Sequence, residues 1–274
     1  MGNGVNHRSM ADGRAVIPTK LVPELYEHRY FKQVFPGALP IGSAPNGYGD
    51  PTGATGDSNI LQFRGPLGPM DAGYHIKGAG QTLLAPSNDA ANGHLLAGLD
   101  VGAAEGVEYL LGQMLSVHNP FAVKCGDTEY AATFIRMKGI LADVSAVAEC
   151  AVGWRKAEAF QANLDDYDEL ACLNLQAGTL NQETILNNGT TATTDTGETV
   201  ADGVSFTLES QIRQRRVVNL FDGVDVSAPL FDFDADEIVV PFIFFLQGGS
   251  GSAFSISELE VGQLWLDGRD GGRR

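Results

Sequence analysis

The sequence predicts an all-β fold, an antiparallel β-sandwich that follows a long extended arm. From about Tyr109 onward, short runs rich in β-branched and aromatic residues alternate with turn residues, which is typical of strands joined by tight turns. Nine of the twelve prolines lie between Pro18 and Pro86 among many glycines, so this earlier segment is not expected to form a helix or a central strand. We therefore predict an arm over residues 1–100 and a sandwich domain over residues 101–274.

The acidic residues are concentrated in the predicted sandwich. Up to residue 86 the chain has seven Lys or Arg and six Asp or Glu, whereas the remainder has eleven and 28. The formal net charge of −16 would repel phosphate backbones and anionic lipid surfaces, so we expect neither nucleic acid nor a membrane as a partner. The longest apolar run, Ile238 to Leu246, is also too short to span a bilayer.

The predicted arm contains apolar side chains of a kind that is usually buried. Pro23 is suited to begin a short helix in which Tyr26, Tyr30 and Val34 would share one face. A flexible tail is the alternative, but such a tail would need fewer aromatic residues. We therefore expect seven side chains of the arm to dock on a partner or a neighbouring subunit: Leu21, Leu25, Tyr26, Tyr30, Phe31, Val34 and Phe35.

Alternation of apolar and polar residues predicts half-buried strands in the sandwich. Residues 133–138 and residues 204–209 both alternate in this way, and the second run directly follows the turn signal Ala201-Asp-Gly203. Asp222-Gly223 lies between two further β-rich runs and supplies the positive φ angles that a two-residue hairpin turn needs. The strands on either side of this turn are therefore expected to pair.

The C-terminal part of the chain predicts two more strands. Ile238 to Leu246 is apolar throughout, as expected of a strand that is buried on both faces. Pro241 within this run has no backbone N–H, so it requires a bulge or an unpaired edge. Phe254 to Val261 alternates again and predicts the last strand of the sandwich.

The three cysteines do not form a recognisable site. Cys125, Cys150 and Cys172 are odd in number and widely spaced, which matches neither a zinc site nor a disulfide framework. We expect three free and mostly buried thiols. The N-terminal residues show no apolar segment of a secretion signal, so we expect the protein to be made in a reducing cytoplasm.

Carboxylates and aromatic side chains are the candidates for a chemical site. Glu258 and Glu260 have the alternating spacing of catalytic carboxylates in sugar-cleaving enzymes, but a third carboxylate is missing, so we predict solvated strand residues. The acidic runs 165–169 and 232–237 could bind calcium but do not match an EF-hand loop, and solubilising charges are the simpler interpretation. Trp154 could stack on a sugar, although a Trp within a strand more often belongs to the core. We predict no catalytic residue, no metal and no cofactor.

The order of these elements resembles a known family. The segments that carry the resemblance are residues 134–141, Ala151-Val-Gly-Trp-Arg155, the Asp-Gly turns at 202–203 and 222–223, and Ile256-Ser-Glu-Leu-Glu-Val261. Over about residues 106–267 the chain is similar to concanavalin-A-like (laminin-G-like) jelly rolls, in particular those of the decoration proteins of tailed-bacteriophage capsids. The resemblance does not cover the arm.

The resemblance implies a cement protein on the outer surface of a virion, assembled in the host cytoplasm. Its partner would be the major capsid protein, gripped by the arm, and the protein would be a homotrimer. Because the same fold also occurs in lectins and glycoside hydrolases, function has to be argued from sites. The alternative is a carbohydrate-binding module that attaches to cell-surface glycans, and a glycan-cleaving enzyme is the least favoured possibility because the paired carboxylates are incomplete. We therefore predict that the chain is not an enzyme.

Overall fold

The structure is a computed structural model. The structure describes residues 106–111, 121–126, 132–249 and 254–264, together with six strands that precede residue 106. The strands are β1 (Arg8–Ser9), β2 (Ala15–Val16), β3 (Tyr30–Val34), β4 (Ser58–Gly65), β5 (Gly68–Lys77), β6 (Leu95–Ala97), β7 (Gly106–Leu111), β8 (Val123–Lys124), β9 (Ala132–Leu141), β10 (Val147–Lys156), β11 (Leu170–Gln176), β12 (Thr179–Ile185), β13 (Ala192–Thr199), β14 (Ser205–Arg213), β15 (Arg216–Phe221), β16 (Val224–Asp225), β17 (Phe231–Asp232), β18 (Ile238–Gln247) and β19 (Phe254–Leu264).

These strands form two antiparallel sheets. The ten-stranded sheet has the order β1-β2-β19-β9-β14-β15-β16, with β3 and β6 also paired to β19 and β17 paired to β15. The nine-stranded sheet has the order β13-β12-β11-β10-β18-β7-β5-β4, with β8 also paired to β18. In the described part of the chain, the only helical elements are 3₁₀ turns at Val144–Ala146 and Leu164–Asp166. The predicted all-β jelly-roll sandwich is confirmed.

The main core lies between the two sheets. Trp154 of β10 is fully buried there and donates its indole N–H to the carbonyl oxygen of Ser210 on β14, at 3.3 Å. Phe245 of the nine-stranded sheet stacks on Phe254 of the ten-stranded sheet, with ring centroids 4.8 Å apart. The prediction that Trp154 belongs to the core is confirmed, and the aromatic layer joins the sheets by burying apolar area.

Two local predictions are confirmed in detail. Asp222 and Gly223 have φ angles of 47° and 85° and join β15 to β16, with Phe221 opposite Val224. Strand β18 runs between β10 and β7 and is buried on both faces. Pro241 lies opposite Trp154 of β10, but on its other side it falls between the residues that pair with β8 and those that pair with β7. A residue without an N–H group is tolerated at such an unpaired position.

The structure changes the prediction for parts of the arm. Tyr30–Val34 forms strand β3 and pairs with β19, so the predicted helical face over these residues is wrong. Strands β4 and β5 form a hairpin that continues the nine-stranded sheet next to β7, although strands were not expected in this Pro-rich segment. Pairing to a preformed sheet edge supplies backbone hydrogen bonds that local sequence propensity does not reveal. The division of the chain near residue 100 stays a prediction.

The expected exposure of Glu260 is also wrong. Glu260 has a fully buried side chain, and its Oε2 atom lies 2.6 Å from Nη2 of Arg136. The same guanidinium group contacts Glu258 at 2.8 Å, so one arginine of β9 is shared by two carboxylates of β19. Arg136 lies directly opposite Glu260 in the strand pairing, which places the opposite charges side by side.

The three thiols are free and buried, as predicted. Burial raises the pKa of Cys125 to about 12, with a further contribution from the neighbouring Glu237 carboxylate. Burial also raises the pKa of Cys150 and of Cys172 far above the ordinary range for thiols. Because the thiolate is the reactive form, these cysteines are inert packing residues.

Candidate functional site

A polar cavity of about 440 Å³ opens on the nine-stranded sheet near its β13 edge. Among the described residues, its lining includes three carboxylates, one carboxamide and three threonines, and no aromatic or cationic side chain. The lining residues are Glu149, Asp165, Gln176, Glu183, Gly189, Thr190, Thr191 and Thr193. The volume lies within the range of roughly 300–1,000 Å³ that is usual for small-molecule sites.

Strand alternation places the cavity on the outer face of the sheet. Leu173 and Leu175 of β11 belong to the core between the sheets, so Asn174 and Gln176 point to the opposite face. On the neighbouring strand β12, Leu180 faces the core and Glu183, three positions later, faces outward. Polar residues on two adjacent strands therefore form the floor of the cavity.

Glu183 is the centre of a hydrogen-bond network in this floor. Its carboxylate accepts hydrogen bonds from the side-chain amides of Asn174 (2.8 Å) and Gln176 (3.0 Å) and from the hydroxyl group of Thr193 (3.4 Å). The amide oxygen of Asn174 accepts from the backbone N–H of Cys150 at 3.0 Å, which fixes the orientation of this amide. Only 4% of Glu183 is exposed, and burial raises the pKa of its carboxyl group. The floor is therefore preorganised.

The rim of the cavity comes from the loop of residues 157–169, here called the outer loop. Asp165 lies in this loop and accepts a hydrogen bond of 2.6 Å from the hydroxyl group of Thr191. Leu164 and Tyr167 of the same loop are buried in a second apolar cluster, together with Cys172 and Phe242 of the sheet. The outer loop thus covers the apolar part of the outer face and leaves the polar cavity open beside it.

A buried ion pair, here called the anchor, holds the outer loop on the sheet. Arg155 of β10 donates from Nε to Oε1 of Glu108 on β7 at 2.6 Å, and neither side chain has exposed surface. The hydroxyl group of Tyr167 donates to the same carboxylate at 2.9 Å, and its ring lies 4.6 Å from the Arg155 guanidinium carbon. Two backbone carbonyl oxygens, of Lys156 and Glu158, accept from Nη1 of Arg155. The charges are therefore paired and hydrogen-bonded, as burial requires.

The structure does not place the predicted docking residues at the cavity. Tyr30, Phe31 and Val34 lie in β3, which pairs with β19 of the other sheet. The remaining four of the predicted set, Leu21, Leu25, Tyr26 and Phe35, lie outside the described residues. Of the cavity residues, sequence reasoning singled out only Asp165, as part of the acidic run 165–169, and it missed the polar residues of the sheet. A usable signal was present in the run Leu173-Asn-Leu-Gln176, where polar residues alternate with leucines in a strand.

The two acidic runs that were considered for calcium come together at one end of the sandwich. Glu169 is 2% exposed, and its Oε2 atom has no hydrogen-bond partner. Lys156 lies between the runs, with its Nζ atom 3.3 Å from Glu237 and 3.9 Å from Asp168. Over the described residues, no three His, Cys, Asp or Glu side chains are close enough to hold one metal ion.

This acidic end predicts a dependence of stability on pH. Burial, followed by the nearby charge of Glu237, raises the pKa of Glu169 from 4.5 to about 6. Between these two values the folded chain binds more protons than the unfolded chain, so this group lowers stability as the pH rises through the window. We expect Glu169→Gln to be more stabilising, relative to the wild-type protein, at pH 7.5 than at pH 5. Urea unfolding at both pH values measures this difference, and an equal effect at both would contradict the assignment.

In the part of the chain that the structure covers, no helix is long and apolar enough to cross a membrane.

No protein-family model and no curated protein sequence matches the chain. Similar solved structures include alginate lyase A1-II′ of polysaccharide lyase family 7, which is 12% identical with a TM-score of 0.43 over 89% of this chain and 98% of that chain. The carbohydrate-binding module CBM66 from Bacillus subtilis is 9% identical, with a TM-score of 0.36 over 56% of this chain and 81% of that chain. The catalytic domain of a laminarinase from Thermotoga petrophila is 9% identical, with a TM-score of 0.39 over 57% and 68%. At such identities the similarity concerns the fold alone.

These comparisons correct the prediction that the chain is not an enzyme. The solved structures of similar fold include two enzymes, alginate lyase and laminarinase. The sequence argument considered only carboxylates that alternate along one strand. The cavity carboxylates instead come from β10, from β12 and from the outer loop.

Proposed function

We propose that the protein binds a carbohydrate in the outer-face cavity. The observation that carries this proposal is the fixed network of amide, hydroxyl and carboxylate groups around Glu183, which lines a cavity of small-molecule size. Sugar hydroxyl groups both donate and accept hydrogen bonds, so their recognition needs polar groups whose orientation is set before binding. Solved structures of similar fold include the module CBM66, which is compatible with this role.

The described residues suggest a binding mode in which hydrogen bonds dominate over stacking. No aromatic ring of the described residues lines the cavity: Trp154 is in the core between the sheets, and Tyr167 of the outer loop is buried against the sheet. Carboxylates form stronger hydrogen bonds than neutral acceptors do. Glu183 and Asp165 are therefore the expected main contacts to sugar hydroxyl groups, and Thr190, Thr191 and Thr193 line the cavity beside them.

The proposal is tested with a glycan array, followed by calorimetric titration of the best oligosaccharide. We expect Glu183→Gln to weaken binding by about 10- to 100-fold, the loss expected for a hydrogen bond to a charged group. Glu198→Gln is the matched control, because Glu198 is exposed on β13 and does not line the cavity. Asp165→Asn tests the rim separately, since Asp165 is exposed and its change should leave folding intact.

Two results would contradict carbohydrate binding at this site. The first is the absence of any oligosaccharide ligand on the array with full-length protein that unfolds cooperatively. The second is unchanged affinity in both Glu183→Gln and Asp165→Asn, which would place any binding elsewhere on the surface.

Cleavage of the bound glycan is a second candidate function. Burial raises the pKa of Glu183, the hydrogen bonds from Asn174, Thr193 and Gln176 lower it, and the nearby Asp165 carboxylate raises it, with a net shift upward. A raised pKa beside a second carboxylate is the arrangement that a general acid requires. Incubation of the wild-type protein with its best ligand, followed by chromatography of the products, tests this function. Product formation that Glu183→Gln abolishes would favour it, and intact ligand after long incubation would leave binding alone.

The capsid role stays a prediction that depends on the resemblance alone. The described residues and the comparisons supply no support for a major capsid protein as partner, for a homotrimer or for a place on the virion surface. Electron microscopy and mass spectrometry of purified particles test that prediction independently of the cavity.

A further inference from the structure

We infer that the cavity selects a sugar that carries a protonated amino group, such as a glucosamine oligosaccharide, and excludes uronic acids. The inference rests on the proposed carbohydrate-binding function and specifies its substrate class. It depends on three features of the described residues: the sign of the charge in the cavity, the lack of counter-charge on two of its carboxylates, and the shortage of free hydrogen-bond donors.

The first feature is the charge of the lining. Glu149, Asp165 and Glu183 line one cavity, and in the described part of the chain no Lys, Arg or His is among its lining residues. The formal net charge of the whole chain, −16, has the same sign. An anionic sugar would therefore be repelled, whereas a cationic sugar would be attracted and oriented.

The second feature is the way in which Asp165 and Glu183 differ from the three carboxylates of the protein that pair closely with an arginine. Glu108, Glu260 and Asp232 each contact an arginine within 3 Å. The hydrogen-bond donors to Glu183 are two amides and a hydroxyl group, and the donor to Asp165 is a hydroxyl group. All four donors are neutral. Glu183, which is buried, and Asp165, which is exposed, thus have only neutral donors among the described residues, and an ammonium group would supply a positive partner.

The third feature is that three side chains of the cavity, Gln176, Thr191 and Thr193, already donate hydrogen bonds to its carboxylates. The hydroxyl protons of Thr191 and Thr193 point to Asp165 and Glu183, so these oxygens present lone pairs to a ligand. The amide of Gln176 donates to Glu183 and accepts from Asn181 at 2.8 Å. A cavity with many acceptors and few donors fits a ligand that is rich in donors. An ammonium group offers three N–H donors and no acceptor, whereas a uronate carboxylate offers only acceptors.

A metal ion does not satisfy these requirements within the described residues. No three of their His, Cys, Asp or Glu side chains lie close enough to share one ion, so the three cavity carboxylates are spread around the space. A hexosamine ring is larger than an ion and carries its ammonium and hydroxyl groups on different ring positions. It can therefore contact carboxylates on more than one wall of the 440 Å³ cavity at once.

The experiment compares three oligosaccharides of equal length by calorimetric titration of the full-length protein. The probes are a β-1,4-linked glucosamine oligomer, its fully N-acetylated counterpart with the same linkage, and an alginate oligomer. At a pH that keeps the amines protonated, we expect the glucosamine oligomer to bind at least about tenfold more tightly than the acetylated one. We expect no binding of alginate. Added salt should weaken the glucosamine complex, because the interaction is between charges.

Variants separate cavity binding from general attraction of a polycation to an acidic protein. Glu183→Gln and Asp165→Asn should each reduce the preference for the amine over the N-acetyl group, and Glu198→Gln should leave it unchanged. If the glucosamine oligomer binds equally well to all three variants, the attraction is to the general surface and the inference is overturned. Asp165→Asn keeps the test decisive if Glu183→Gln does not fold.

The remaining outcomes distinguish this inference from the proposed function. Equal or tighter binding of the acetylated or the alginate oligomer, with sensitivity to the cavity variants, would overturn the amine selectivity and leave carbohydrate binding intact. Failure of all three probes, together with failure of a broad glycan array, would overturn both. Binding of a different neutral glycan on the array, with no binding of glucosamine, would overturn the inference alone.

Discussion

Replacing Arg155 with methionine is expected to lower the free energy of unfolding by about 3–5 kcal/mol. The substitution leaves the carboxylate of Glu108 buried without its counter-charge and removes the contact to the ring of Tyr167. The outer loop should also lose contact with the sheet, because Arg155 holds the carbonyl oxygens of Lys156 and Glu158. Chemical denaturation measures the loss, and limited proteolysis shows whether cleavage begins within residues 157–169.

Arg216→Met is the matched control for the anchor. Arg216 forms a similar two-point ion pair with Asp232, at 2.9–3.0 Å, but both side chains are exposed. An exposed pair contributes about 0–1 kcal/mol, so this variant should unfold almost like the wild-type protein. Adding Glu108→Gln to Arg155→Met should recover part of the stability, because no unpaired charge then remains. Similar losses for Arg155→Met and Arg216→Met would show that burial of the anchor has no special effect.

Replacing Gly153 with alanine is expected to lower the free energy of unfolding by about 1–3 kcal/mol, as for overpacking in a well-packed region. Gly153 lies in the middle of β10, and a Cβ atom there would overlap the backbone of Ala171 and Cys172 on β11. Backbone atoms of a central strand cannot move aside without disturbing the pairing. Strand β11 also carries Asn174 and Gln176, so the same variant should weaken ligand binding in the cavity.

Gly249→Ala provides the control for this close approach. An added Cβ atom at Gly249 would meet its nearest neighbour, the Cβ atom of Ala146, at the ordinary contact distance of 3.7 Å. We expect a change in the free energy of unfolding of less than about 0.5 kcal/mol there. Thermal and urea unfolding of both variants gives the comparison. An unchanged stability in Gly153→Ala would mean that β10 and β11 are farther apart than described.

Local signals explain which parts of the fold could be predicted. The Asp222-Gly223 hairpin depends on two adjacent residues, and the apolar run of β18 is a property of nine consecutive ones, so both are visible in the sequence. Tyr30–Val34 was misassigned because helical spacing of apolar residues is only a local signal, whereas its strand pairs with Glu258–Gly262. Pairing partners so far apart in the chain leave no local signal.

The candidate site was less accessible to sequence reasoning, for a related physical reason. The network around Glu183 joins residues of β11, β12 and β13, and its rim comes from the outer loop. The anchor joins Glu108 to Arg155, which are 47 positions apart. Each of these residues looks like an ordinary polar residue in isolation. The role of each residue in the site depends on the strand register and on the face of the sheet that the residue occupies. Neither of these could be read from the sequence.

The position of β19 has a consequence for how the chain acquires its structure during synthesis. This strand comes after every other described strand in the chain, yet it lies inside the ten-stranded sheet, with β9 on one side and β2, β3 and β6 on the other. Until residues 254–264 have left the ribosome, β3 and β9 each lack a neighbour and expose an open edge. Pairing over such distances is slow, and open edges invite association with other chains. We therefore expect a nascent chain to be most prone to association with other chains before β19 is complete.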